Sequence, residues 1–255
     1  MRLVVWGAGE LGGRVGARWA QDGKLVLGLT QSPTRHDELR RCGIEPHIGQ
    51  ATHLLTPADV LLLALPGSVK QQAAVASLTD TAPPARAVLI SSTGYYGTLY
   101  GSVNEATPRG NTPRAIAIEA AELAFRAWIG TRGVVLRLGG LYCRGRGPLA
   151  ALMRRGTVPS GPPDTILALI HYDDAATAAL AALRHPAPEP TYIGVVPPCP
   201  TRCEFYLCAC RLAGLPEPVF DAPLGYPPAA YDVTRLQRDL LPAPAHPDWH
   251  DALLL

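Results

Sequence analysis

Residues 2–12, Arg-Leu-Val-Val-Trp-Gly-Ala-Gly-Glu-Leu-Gly, constrain the fold of this chain more than any other stretch. A short apolar run, of the kind that forms a strand covered on both faces, passes directly into Gly7-x-Gly9-x-x-Gly12. Leu11, Val15 and Trp19 then recur at the i, i+4, i+8 spacing of a helix's buried stripe. Strand, glycine turn and helix in this order open a βαβ unit. Gly7 permits the tight turn, Gly9 leaves no side chain where a pyrophosphate must approach the backbone, and Gly12 lets the helix pack closely on the strand. The free N–H groups and positive dipole end of that helix face the phosphates. The pattern predicts a dinucleotide-binding turn.

Strand-like runs recur at 2–6, 24–29, 59–65, 86–91, 133–138 and 191–196, with helical patterns at 11–21, 35–41, 69–79 and 113–129 between them. Such alternation predicts an α/β fold of the Rossmann type, a doubly wound parallel sheet with helices on both faces. We expect a dinucleotide-binding core over residues 1–165. Residues 166–255 form a mixed region that returns to the sheet near 191–196 and completes a small C-terminal substrate side. Ser68-x-x-Gln71 reads as a capping box for the third helix, and Asp173 or Asp174 as the cap of the alanine-rich helix at 174–183. In the fourth helix Ile116, Ala120, Leu123 and Trp128 read as the apolar face, and Glu119, Glu122 and Arg126 as the polar one. Beyond 196 proline density rises and 215–255 reads as mostly irregular. Ligands of open α/β sheets bind beyond the C-terminal strand ends, so Gly7–Gly12, Thr30–Arg35, Ala64–Ser68, Ser91–Tyr100 and Gly139–Arg146 are the segments that bear on function.

Net charge is +2 with both signs dispersed, which gives no nucleic-acid or membrane surface. No apolar run reaches the roughly 18 residues that span a bilayer, and the N-terminus reads as a strand and not a signal peptide, so a cytoplasmic protein acting on a small molecule is expected. Cys42, Cys143, Cys199, Cys203, Cys208 and Cys210 are then expected as reduced thiols. Thr201-x-x-Glu204 opens a helix running to about Gly214, which points Cys208 and Cys210 in different directions, with no histidine near. No metal site is expected there.

Five stretches together resemble the extended short-chain dehydrogenase/reductase superfamily, and within it the small NAD-dependent epimerase/dehydratase-like (nucleoside-diphosphate-sugar epimerase-like) proteins. They are V-V-W-G-A-G-E-L-G at 4–12, L-I-S-S-T-G-Y-Y-G at 89–97, L-R-L-G-G-L-Y-C-R-G-R at 136–146, I-H-Y-D-D-A-A at 170–176, and P-T-R-C-E-F-Y at 200–206 followed by G-L-P at 214–216. The resemblance implies that Gly7, Ala8, Gly9, Glu10, Leu11 and Gly12 wrap the pyrophosphate. Leu65 and Pro66 would lie along the adenosine side, Ser91 and Ser92 beneath the nicotinamide, and Gly140 and Leu141 against its carboxamide. Thr93 takes the place of the catalytic Ser/Thr that hydrogen-bonds a substrate oxygen. Arg144 and Arg146 fall where relatives grip a phosphate, and Tyr100 is a further substrate-side candidate; Arg137, inside a strand, reads as structural. A homodimer through the helix at 113–129 is implied as well.

At the end of the second strand a ribose-binding acid is expected about 20 residues after the glycines. Here the sequence is L-G-L-T-Q-S-P-T-R, with no carboxylate before Asp37. Thr30, Gln31, Ser32 and Arg35 suit a 2′-phosphate, which favours NADP(H) over NAD(H). The superfamily's Tyr-x-x-x-Lys is missing. The matching helix, T-P-R-A-I-A-I-E-A-A-E at 112–122, has neither residue, and the chain holds only Lys24 and Lys70. An unassisted tyrosine is a poor base at neutral pH. Two readings follow. Either a tyrosine of the 95–100 loop (Tyr95, Tyr96 or Tyr100), His171 or water handles the proton in an atypical NADP(H)-dependent oxidoreductase or epimerase, or the scaffold serves a non-redox cyclase, isomerase or NADP(H) sensor.

Overall fold

β1 (Leu3–Trp6) lies inside an all-parallel sheet with β2 (Val26–Thr30) and β3 (Glu45–Ile48) on one side. On its other side stand β4 (Val60–Leu63), β5 (Arg86–Ser92), β7 (Gly133–Leu138) and β10 (Thr191–Gly194), giving the seven-stranded order β10-β7-β5-β4-β1-β2-β3. The computed structural model describes residues 1–97 and 100–254. Every residue of β1 and β4 is buried, which is why both read as continuous apolar runs and not as alternating ones. The period of two still sorts their side chains. Leu3 and Val5 pack beneath α1 (Glu10–Gln21) and α6 (Tyr172–Arg184), while Val4 and Trp6 pack beneath α3 (Ser68–Ser77) and α4 (Pro113–Ile129).

The remaining elements build the rim. α2 (His36–Arg41) precedes β3; β6 (Gly101–Val103) pairs with β11 (Ala229–Tyr231); β8 (Gly140–Tyr142) pairs with β9 (Leu169–His171). A third apolar cluster joins α5 (Pro148–Arg155), α7 (Arg202–Ala213) and the C-terminal Trp249–Leu253 turn, with Leu152 and Phe205 fully buried. α8 (Thr234–Asp239) packs near β10. Residues 215–254 are mostly irregular, as expected, with β11, α8 and the Trp249–Leu253 turn as their regular segments. From β1 the strands are laid down first outward through β2 and β3 and then, from β4, on the opposite side, so the switch point lies between β1 and β4 and a crevice opens beyond their C-terminal ends.

Several local expectations are corrected. α3 is capped by Gly67 without a side-chain bond, because Gln71 turns inward and donates to the Leu65 and Ile90 carbonyls at 2.9 and 2.7 Å. His171, not either aspartate, caps α6. α4 is turned from the expected face: Ile116 and Leu123 are exposed, and Glu122 is buried with Ile118, Phe125 and Ile129. β3 escaped notice because Glu45-Pro46-His47-Ile48 has the polarity and the proline of an edge strand. The Thr201–Glu204 capping box and the Gly214 stop of α7 are as expected.

Candidate functional site

Gly7 leaves β1 with φ +101°, a conformation that favours glycine, and a β-carbon there would come within 2.7 Å of the Ala64 carbonyl oxygen. A β-carbon on Gly12 would collide with the Gly7 carbonyl and approach Val5 Cγ1 to 2.7 Å, so α1 sits against the turn as only glycine allows. Above Gly9 there is nothing within 4 Å. Gly9 caps α1 without any side-chain acceptor, which leaves the first-turn N–H groups facing an open space beside a bare backbone. That geometry fits a pyrophosphate.

Three cavities run along the crevice and share lining residues. The first, about 710 Å³, lies between Gly7–Gly9, Thr30–Ser32, Arg35, Leu65, Pro66 and Lys70. The second, about 650 Å³, holds Glu10, Leu11, Gly12, Arg114, Ile118 and Arg146. The third, about 520 Å³, holds Ser92, Thr93, Gly140, Leu141, Tyr206 and Tyr231. The first two meet at Gly7, Gly9, Leu65 and Pro66; the last two meet at Ile90, Ser91, Ser92, Arg114 and Leu141.

Most sequence-derived binding residues come together here. Thr30, Gln31, Ser32 and Arg35 line the first cavity, although Arg35 is also tied to Glu38 at 2.9 Å and the Thr30 hydroxyl meets His36 Nε2 at 2.8 Å. Ala8 is buried, and its N–H donates to Leu29 O at 2.9 Å. Glu10 accepts from Arg14 Nε at 3.0 Å and lies 3.3 Å from Arg146 Nε, so Arg146 spans the cleft as an ion pair. Lys70, which the sequence did not single out, is exposed in the first cavity with no carboxylate partner among the described residues.

The proposed proton-handling groups lie elsewhere. Tyr96 is fully buried; its hydroxyl accepts from Arg137 Nη1 at 3.0 Å, and burial pushes the phenol up to about 12. Tyr95 lies beneath the Arg137 guanidinium, 3.4 Å from its ring centre. His171 Nδ1 accepts the Asp173 N–H at 3.1 Å, and its ring stacks on His246 with centres 3.6 Å apart. Burial, and then the His246 charge, hold His171 below its usual range. None of the three lines a cavity of the crevice. Tyr100 is exposed against Tyr226, and Arg144 points to solvent, both outside the three cavities.

Ser91 reaches inward, donating to Glu122 Oε1 at 2.6 Å, and Arg137 Nη2 meets Glu122 Oε2 at 2.7 Å. Burial opposes the Arg137 charge, but the Glu122 carboxylate outweighs it and holds the guanidinium charged. Arg137 is thus structural, as its strand position implied.

No protein-family model matches the chain. Protein YeeZ of Escherichia coli K12 is 28% identical over 239 residues, covering 86% of each chain. UDP-glucuronic acid 4-epimerase from Bacillus cereus, solved with NAD, superposes with TM-score 0.76 at 17% identity over 99% of this chain and 96% of that one. The human epimerase family protein SDR39U1, solved with NADPH, does so with TM-score 0.72 at 20% identity over 99% and 98%. The chain shares the fold of these two epimerase structures. The side chains that α4 sends into the crevice are those of Arg114 and Ile118, four residues apart on the helix.

Proposed function

We propose that the protein holds a nicotinamide dinucleotide along the crevice and acts as an atypical NADP(H)-dependent oxidoreductase or epimerase on a small polar metabolite. The carrying observation is the continuity of the cleft, from the bare Gly7–Gly12 turn to Thr93 at the tip of β5. The α1 N-terminus and Gly9 backbone would hold the pyrophosphate, Leu65 and Pro66 the adenosine side, and Gly140 and Leu141 the carboxamide side. Thr30, Gln31, Ser32, Arg35 and Lys70 surround the ribose end with hydroxyls and cations, which suits a 2′-phosphate. When bound, the nicotinamide supplies hydride transfer. Thr93 orients the substrate oxygen. With Tyr95, Tyr96 and His171 withdrawn from the cavities, the proton is assigned to water. Arg114 and Ile118 at the Tyr-x-x-x-Lys spacing favour the non-redox reading as the alternative, a cyclase, isomerase or cofactor sensor.

Titrating the purified protein with NADPH, NADP⁺ and NADH, followed by nicotinamide fluorescence and calorimetry, tests this. Saturable NADPH binding tighter than NADH binding is expected; no binding of either at millimolar concentration refutes the cofactor reading. Turnover over a panel of carbonyl and hydroxyl substrates separates the redox reading from the alternative, and Thr93→Ala is expected to abolish it. Exposed Ile116 and Leu123 on α4, beside Val69 on α3, further support a homodimer through these helices, which sedimentation of Leu123→Glu checks.

A further inference from the structure

We propose that Arg114 anchors an anionic group of the substrate, a carboxylate or a phosphate, at the reacting end of the cleft. The proposal deepens the functional reading above and depends on it only for which end of the cleft is the reacting one. Arg114 is the charged residue among those lining both the pyrophosphate cavity and the Thr93 cavity. Its guanidinium lies on Gly94, the residue after Thr93: a β-carbon on Gly94 would come within 2.9 Å of Arg114 Nε and 3.2 Å of Cζ. Its Nη2 is 3.5 Å from Ser92 Oγ. The cation is therefore seated beside the Ser92 hydroxyl and against the residue that follows Thr93.

Its charge is also uncommitted. Arg146 and Arg14 meet Glu10, Arg14 also meets Asp173, and Arg35 meets Glu38, whereas Arg114 has no carboxylate partner among the described residues. It stands in the first turn of α4, where the helix dipole disfavours a cation and no acidic residue offsets it. A choice that breaks a local rule without internal compensation is expected where function demands it. A guanidinium presents paired N–H donors that match the two oxygens of a carboxylate or phosphate. The pyrophosphate already has the open N-terminus of α1, and among the described residues the rest of the Thr93 cavity offers the hydroxyls of Ser92, Thr93, Tyr206 and Tyr231 among apolar neighbours, the Ser91 hydroxyl being taken by Glu122. A small molecule with one anionic end fits this lining, with that end at Arg114.

The test uses the full-length protein, with and without NADPH. The probes are pyruvate and glyoxylate against pyruvamide, and dihydroxyacetone phosphate against dihydroxyacetone. Ligand binding is read by thermal shift and, with NADPH, by nicotinamide fluorescence. An acid or a phosphate is expected to bind where its neutral counterpart does not, and which of the two binds identifies the anion. Arg114→Gln is expected to weaken that binding about tenfold or more, the equivalent of one charge-assisted pair, with NADPH affinity held within about twofold. Arg114→Lys should recover part of the loss, and Gly94→Ala, which displaces the guanidinium, should mimic it. Equal binding of acids and neutral counterparts, no binding by any probe, or a loss of NADPH affinity in place of acid affinity would overturn the proposal. Because the thermal shift is also read without NADPH, a protein that ignores NADPH yet shows the Arg114-dependent anion effect would refute the cofactor reading alone.

Discussion

Replacing Glu122 by leucine is expected to be among the most destabilising single changes in this chain, and replacing its partner as well should reverse part of the damage. Glu122 and Arg137 are 3% and 5% exposed, and they meet through Nη2–Oε2 at 2.7 Å and Nε–Oε1 at 3.0 Å. Glu122→Leu leaves the Arg137 guanidinium with the Tyr96 hydroxyl, the Glu105 carbonyl and the Tyr95 ring, none of which carries a countercharge. A buried charge stranded in this way costs about 3–5 kcal/mol. Arg137→Met strands a carboxylate that keeps only the Ser91 hydroxyl, at a similar cost. The double variant strands no charge; it leaves the Ser91 and Tyr96 hydroxyls short of a partner, at about 1–3 kcal/mol each. It should therefore be no worse than either single variant, a coupling of about 3 kcal/mol or more across the cycle. Urea denaturation followed by tryptophan fluorescence measures all four proteins, with an unchanged m-value as the check that one transition is being compared. Single variants that lose less than about 1 kcal/mol, or effects that add within about 0.5 kcal/mol, would refute the claim that this pair is electrostatically coupled in the interior.

Lys70→Ala is expected to weaken NADPH binding about three- to tenfold, the range for an exposed cation on a phosphate, while NADH binding stays unchanged; equal effects on both would remove Lys70 from the 2′-phosphate. Gly12→Ala forces α1 off the Gly7 carbonyl and should cost about 1–3 kcal/mol together with most of the cofactor affinity, read by melting and by fluorescence titration. His171→Asn keeps a side chain able to cap α6 while removing a titrating group. Burial and His246 depress the folded-state pKa below the unfolded value of about 6.5, so the unfolded chain takes up a proton first and stability falls as pH drops through that value. The variant should flatten this slope in melting curves taken from neutral to mildly acidic pH, where Asp173, Asp174, Arg14 and His246 remain as the neighbouring charges. Its cofactor binding should match the wild type, since His171 lines no cavity of the crevice.

The sheet and its covering helices were readable because their signals are local. β1 and β4 are continuous apolar runs, and α7 carries its own capping box and glycine stop. What escaped depends on partners far along the chain. Glu122 reads as a solvent-facing residue until Arg137, fifteen positions on and in a different element, is brought against it. Histidine as a residue type suits a proton carrier, yet at His171 the backbone N–H of Asp173 and the ring of His246, seventy-five residues downstream, consume that role. Tyr96 follows Thr93 so closely that it suggested a proton carrier, but the 3-10 turn Thr93–Tyr96 turns its hydroxyl inward to Arg137. Arg114 lay in the helix that drew attention for what it lacked, and only the fold shows that its side chain enters the crevice.

On the reading proposed above, Arg114 and Ile118 bear on what the reacting end can do. A tyrosine–lysine pair works by bringing a phenol into its titrating range beside an ammonium. Arg114 keeps its charge across the whole working range and cannot exchange a proton in step with a reaction. Ile118 supplies no charge with which to lower a neighbour's pKa. The tyrosines that remain in the Thr93 cavity are moved the wrong way, since burial raises Tyr206 and pushes Tyr231 up to about 12. Lining groups of this kind hold charge and orient oxygen but do not shuttle protons near neutrality. A substrate that brings its own ionised group needs such a site, because a fixed cation preorganised beside Thr93 can stabilise negative charge without any change in protonation. On that reading the two ends of the crevice answer to different constraints. Gly7 and Gly12 fix the backbone geometry of the turn, while Arg114 sets a fixed positive charge beside Ser92 and Gly94.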